Sequence, residues 1–252
     1  MKRLIFTMLA ALTITGAQAQ TILSEDFETG NTGSSPQPVA KGAGWTVVDG
    51  YSGSNVKYKW HNYYSDPTGE TGPLIQGACC AEVDAAMFTS DTEGKGPREE
   101  ILLSPELNLD NTYQLKFSWQ VSPVNRYDES KYDLQVRVVE NGDLQGAETI
   151  FSIHNEKMLR ESGVTAFPID SWDIYTSRLD LSDWKGEKVQ LAFVYKMLAP
   201  TGNLARLDDI TVSQFTPATT PVASLSMDRY TCLLYTSPSP RDAPLSRMPS
   251  SA

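Results

Sequence analysis

From Tyr113 to Val121 apolar and polar residues alternate without a break: Tyr113, Leu115, Phe117, Trp119 and Val121 fall on one side, and Gln114, Lys116, Ser118 and Gln120 on the other. A period of two over this length specifies a strand with one face in a core. The period recurs over Tyr132–Glu140, with Leu134, Val136 and Val138 inward, and over 189–195. Weaker strands are expected at 21–27, 45–48, 87–90, 100–103, 148–153, 172–179 and 207–215, each bounded by turn formers. No stretch carries a capped helical period, so helices should be short or absent.

Many strands at such spacing, joined by Gly- and Pro-rich connections, predict an all-β chain. The architecture expected is an antiparallel two-sheet jelly-roll β-sandwich of the concanavalin or galactose-binding kind. The polar stretches 31–44, 50–77 and 91–98 are expected to be rim loops, where function in such a sandwich usually sits.

The two ends of the chain do not belong to that sandwich. Lys2 and Arg3 precede an apolar run over 4–14 and then Ala17-Gln18-Ala19, the pattern of a cleavable signal peptide over 1–19. The run is shorter than the roughly 20 residues a bilayer needs, so it does not read as a membrane span. At the other end, 232–252 resembles translated read-through of sequencing adapters and is set aside from fold reasoning. Between them, 20–215 reads as one domain, and Thr216-Pro-Ala-Thr-Thr-Pro-Val222 opens a linker or next domain over 216–231.

The chain carries 21 Lys and Arg against 31 Asp and Glu, a formal net charge of −10. Setting aside Lys2, Arg3, Arg241, Arg247 and Asp242 with the ends leaves 17 against 30, about −13. Nucleic acid is a poor partner for such a surface, and so is an anionic membrane. Cys79 and Cys80 are the only cysteines before 232 and are too close for an ordinary disulfide. They read as two small buried residues, with a vicinal redox disulfide as the alternative.

Catalytic signatures are missing from the sequence. The two histidines, His61 and His154, lie in no His-Glu-x-x-His pattern, and neither a Gly-x-Ser-x-Gly elbow nor a phosphate-binding loop occurs. A glycosidase needs only two carboxylates, and nothing in the sequence singles out a pair.

Several pieces in order resemble a family: Glu25-Asp-Phe-Glu28, Gly44-Trp45, Asp49-Gly50, Leu102-Leu-Ser-Pro-Glu-Leu-Asn-Leu109, Leu179-Asp-Leu-Ser-Asp-Trp-Lys-Gly186, residues 189–195 and Leu207-Asp-Asp-Ile210. Together they resemble the cleaved-adhesin or choice-of-anchor J domains, jelly-roll modules of exported bacterial proteins that include the adhesin regions of gingipain-type proteases. The resemblance covers nearly all of 22–215. It implies that first and last strands lie together and that nearby carboxylates hold a structural calcium ion, here Asp26, Glu28, Asp208 and Asp209. Calcium takes roughly six to eight oxygens, so strand-end carboxylates suit it; solvated strand ends or turn caps are the other reading. A second site common in the family is not expected, because Asp49-Gly-Tyr-Ser-Gly-Ser-Asn55 has one carboxylate where an Asp-x-Asp-Gly-Asp loop would stand.

The same loop is rich in aromatics. Tyr51, Tyr58, Trp60, Tyr63 and Tyr64, beside His61, are the residue types on which a pyranose stacks, and 50–66 is the ligand loop expected from sequence. The competing reading is a long loop that packs its rings onto the sandwich. The function that follows is a secreted or cell-surface bacterial binding module for carbohydrate or an extracellular protein, non-catalytic and not integral to a membrane. The alternative is the accessory domain of a larger secreted protease or glycosidase.

Overall fold

A computed structural model describes residues 19–28, 37–39, 44–51, 53–54, 56–64, 75, 77–84, 97–122, 130–198 and 204–215. Thirteen strands are seen among them: β1 (Thr21–Glu25), β2 (Gln37–Pro38), β3 (Thr46–Val48), β4 (His61–Tyr64), β5 (Cys79–Asp84), β6 (Arg98–Leu103), β7 (Leu107–Asn108), β8 (Tyr113–Val121), β9 (Tyr132–Glu140), β10 (Glu148–Ser152), β11 (Tyr175–Asp180), β12 (Lys188–Met197) and β13 (Leu204–Gln214). One short helix, α1 (Glu156–Glu161), is capped by the Asn155 side chain, which accepts from Met158 N. The signal peptide, the strand expected at 87–90, the linker and the adapter-like tail lie outside the described residues.

Two antiparallel sheets form a jelly-roll sandwich. The seven-stranded sheet runs β11-β8-β13-β5-β4-β2, with β1 also on β13; the six-stranded sheet runs β10-β9-β12-β6-β3, with β7 on β12. The three strongly alternating segments, in β8, β9 and β12, lie inside the two sheets, and the apolar side of each faces the core. Tyr113, Leu115, Phe117 and Trp119 are fully buried, and Leu134, Val136, Leu191 and Phe193 meet them from the other sheet. Phe117 sits edge-on between Phe151 and Phe193, with ring centroids 5.3 and 5.6 Å away.

Buried tryptophans each find an acceptor, as an indole N–H in a core must. Trp45 donates to Glu25 Oε2, Trp119 to Ser177 Oγ, Trp184 to Glu140 Oε1 and Trp60 to the Glu100 carbonyl. The segment 180–186 forms a turn: Asp180 accepts from Ser182, and Gly186 takes φ +95° before β12.

The expectation of one rim loop over 50–77 is corrected by β4, which lies within it and pairs with β5 through Asn62 opposite Ala81. Neither strand alternates visibly in sequence, because each is covered on both faces: five of the six β5 residues are buried. Cys79 and Cys80 are buried there as thiols, with no disulfide between them.

β13 organises the seven-stranded sheet. One edge pairs with β8. Along the other, Leu204–Leu207 pair with β5 and Ile210–Ser213 with β1, so β5 and β1 lie end to end beside one strand. The register shifts between Asp208 and Thr211, and Asp209 takes φ +49° there. Truncating the shared core ring, Phe117→Ala, is expected to cost about 3–5 kcal/mol, read as a lowered midpoint in urea unfolding.

Candidate functional site

A cleft, a buried polar row and an acidic corner are built on this frame. The first adjoins the aromatic loop. Tyr51 and Tyr58 pack edge to face 5.0 Å apart, and the Arg98 guanidinium lies 5.1 and 6.0 Å from their ring centroids. Arg98 Nε is 3.0 Å from Glu100 Oε1, and Gly50 N donates to Glu100 Oε2. Glu100 is fully buried opposite Tyr195 in the register of β6 and β12. Burial pushes its carboxyl up to about 7, against the pull of Arg98 and the amides of Gly50 and Tyr51.

Tyr51, Tyr58 and Trp60 are therefore packed inward, with only 3, 4 and 1 % of their surface exposed, while Tyr63 and Tyr64 on β4 stay half-buried. What the loop does wall is a cleft of about 610 Å³. Trp45, Val47 and Val56 give it apolar sides, and Asp49, Ser54 and Lys59 give it polar groups. Lys59 Nζ and Asp49 Oδ2 pair at 2.6 Å.

A buried polar row lies on the outward face of the seven-stranded sheet, where strand alternation ordinarily predicts solvated polar residues. His61, Glu82, Arg206 and Gln120 occupy adjacent positions across β4, β5, β13 and β8. All four are at most 5 % exposed. Arg206 Nε donates to Glu82 Oε2 at 2.7 Å, and its guanidinium lies 4.7 Å from the Tyr63 ring and 5.1 Å from that of Trp172. Gln120 Nε2 donates to the Trp172 carbonyl. Burial lowers His61 to about 4, helped by the charges of Lys57 and Arg206, and raises Glu82 against the pull of Arg206. The sequence reading missed this row. Its only signal was a set of charged residues at outward positions of inner strands, and β4 and β5 had not been recognised as strands.

The acids expected to hold calcium gather where β1 ends and β5 begins against β13. Their carboxylates engage backbone amides: Asp26 Oδ1 accepts from Glu28 N, Glu28 Oε1 from Ala78 N and Cys79 N, and Asp208 Oδ1 from Asp209 N. Asp208 is 1 % exposed. Among the described residues, no three or more His, Cys, Asp or Glu side chains are grouped to hold a metal ion.

No family model matches the chain, and no curated protein does. Solved structures give low likenesses. The K1 cleaved adhesin domain of Lys-gingipain from Porphyromonas gingivalis W83 is 17% identical at a TM-score of 0.49, covering 78% of this chain and 99% of that one. The Stig cyclase Fisc from Fischerella sp. TAU is 12% identical at 0.46, covering 78% and 98%. The Caldicellulosiruptor saccharolyticus CBM27-1 domain, solved with mannohexaose, is 14% identical at 0.41, covering 75% and 94%. At these values none of them bears on what the chain does.

Glu100 gives a pH test. Between about 4.5 and 7 the folded protein keeps a proton on Glu100 that the unfolded chain has released, so this residue's contribution to stability falls as pH rises through that window. The loss approaches about 3 kcal/mol. His61, lowered by burial, works in the opposite sense, so the parent is compared with Glu100→Gln at each pH. In urea unfolding the variant should gain on the parent from pH 5 to pH 7, and a constant difference would contradict the assignment.

Proposed function

We propose that residues 20–215 form an exported, cell-surface binding module, without catalysis of its own, whose ligand is carbohydrate received in the cleft beside the 50–66 loop. The observation that carries this is the composition of the cleft: apolar walls from Trp45, Val47 and Val56 with a few polar groups from Asp49, Ser54 and Lys59. Its volume of about 610 Å³ is of the size that holds small ligands. The face of a sugar ring would lie against the apolar wall while its hydroxyls pair with the polar groups. Among the described residues no helix is long and apolar enough to cross a membrane.

In this reading Trp60 lines the cleft, Tyr51 and Tyr58 brace the loop through Arg98 and Glu100, and Tyr63 and Tyr64, on β4, lie outside the cleft lining. Screening the full chain on a glycan array, beside Asp49→Ala and Lys59→Ala, tests it. Specific binding weakened about tenfold by either change is expected, which corresponds to about one charge-assisted hydrogen bond. A folded chain that binds no glycan would overturn the carbohydrate assignment and leave an extracellular protein as the partner.

We also propose a structural calcium ion at the acidic corner. What supports it is the donor type alone: the acids beside this corner are hard oxygen donors of the kind calcium takes, and since no three of them are grouped among the described residues, backbone and water oxygens would have to complete the shell. Bound calcium would supply positive charge that ties the end of β1 to β13. Excess calcium should raise the melting temperature by several degrees over chelator, and Asp208→Asn should remove the shift. An unchanged melting temperature in the parent would overturn the site.

A further inference from the structure

We infer that Glu100 is a proton-operated latch on the cleft: protonated, it keeps the segment 49–51 closed on β6, and ionised, it releases that segment. What the latch regulates is the cleft of the proposed function, and its physical basis is independent of what the cleft binds. The segment 49–51 leaves the end of β3 and lies on β6. Val48 pairs with Ile101, so Asp49 comes beside Glu100. Gly50 is so close to β6 that a side chain there would meet the Glu99 carbonyl at 2.5 Å. Asp49 also lines the cleft, so a movement of this segment moves the cleft wall.

Under the segment, the Glu100 carboxyl is poorly accommodated as an anion. It is fully buried, and its Oε1 has no hydrogen-bond partner. Arg98 Nε lies 3.0 Å from that oxygen, an ion contact that is not aligned as a hydrogen bond. Oε2 accepts from Gly50 N at 3.2 Å, the long end for an amide bond. Asp49 adds a second negative charge beside it. Burying an incompletely paired anion is unfavourable, and the group relieves this by taking a proton or by reaching water. Burial accordingly pushes the carboxyl up to about 7, against the pull of Arg98 and the Gly50 and Tyr51 amides.

The segment is the part of the enclosure that can lift. The charged and titratable groups around Glu100 are Arg98 on its own strand, Tyr195 opposite it on β12, and Asp49 and Tyr51, with Lys59 paired to Asp49 at 2.6 Å. β6 and β12 are each paired along both edges, whereas 49–51 lies beyond the last paired residue of β3. Arg98 strengthens the coupling, because its guanidinium also lies 5.1 Å from the Tyr51 ring and 6.0 Å from that of Tyr58. With Glu100 protonated, those rings are what holds the buried cation, which requires the closed segment. With Glu100 ionised, the carboxylate holds it after Tyr51 has left. Lifting the segment returns the carboxyl to its ordinary value of 4.5, so between there and about 7 opening releases a proton and is favoured by rising pH. The cleft wall is therefore held in mildly acid surroundings and loosened above neutrality.

Amide exchange of Gly50 and Tyr51 in the full chain, followed by NMR from pH 5 to pH 7 with the intrinsic rates divided out, tests the latch without a ligand. Exchange at both amides should accelerate roughly 40-fold over that range. At pH 7, low urea should leave it unchanged while speeding exchange in β8, as a local opening requires. Glu100→Gln, uncharged throughout, should keep both amides slow at every pH. Three results would each overturn the latch: exchange at Gly50 and Tyr51 that ignores pH, the same acceleration in Glu100→Gln, or a rise with urea as steep as that of β8, which would mean that Glu100 reaches water only in global unfolding. The pH and urea series on the unaltered chain decide the matter even where the variant fails to fold. A chain that binds no glycan leaves these results untouched, so failure of the carbohydrate assignment and failure of the latch are told apart.

Discussion

The seven-stranded sheet depends on how β13 shares one edge between two strands. A sheet edge divided end to end leaves backbone groups at the junction that neither strand satisfies, and burying such groups costs free energy. Glu28 closes the junction: its Oε1 accepts from Ala78 N, just before β5, and from Cys79 N, the first amide of β5, while its own backbone follows the end of β1. The approach is so close that a side chain at Gly77 would meet Glu28 Oε1 at 1.9 Å, and Gly77 also takes φ +63°. Phe27 and Asp209 adopt positive φ on either side of the same junction, so local strain collects where the sheet changes partners.

From this junction the polar row of the outward face follows. β5 is held in register with β13, which sets Glu82 opposite Arg206, and β4 follows β5, which sets His61 opposite Glu82. The other sheet buries a comparable pair, Arg98 with Glu100, beneath the aromatic loop. Buried ion pairs of this kind add little net stability, because desolvation offsets most of their attraction. Both pairs instead fix geometry: Arg206 against Tyr63 and Trp172, Arg98 against Tyr51 and Tyr58. The remaining excess of acid is left mainly to the surface.

The fold was largely legible in the sequence because most strands have one buried face. β8 and β9 were read to the residue, and β12 within three, since their alternation records which face meets the core. β4 and β5 were not, because a strand buried on both faces shows no period. The aromatic loop was legible in composition and not in direction. The partners that turn Tyr51, Tyr58 and Trp60 inward are Arg98 and Glu100, some forty residues on, and only the fold brings them together. For the same reason the row from His61 to Gln120 reads in sequence as isolated polar residues from four distant segments.

Native-state hydrogen exchange on Gly77→Ala tests most directly whether the Glu28 junction carries this arrangement. If it does, protection falls at Ala78 and Cys79 and through β5 and β1, while β9 and β12 in the other sheet keep theirs. Protection that is unchanged at Cys79, or lost equally from both sheets, would contradict the account.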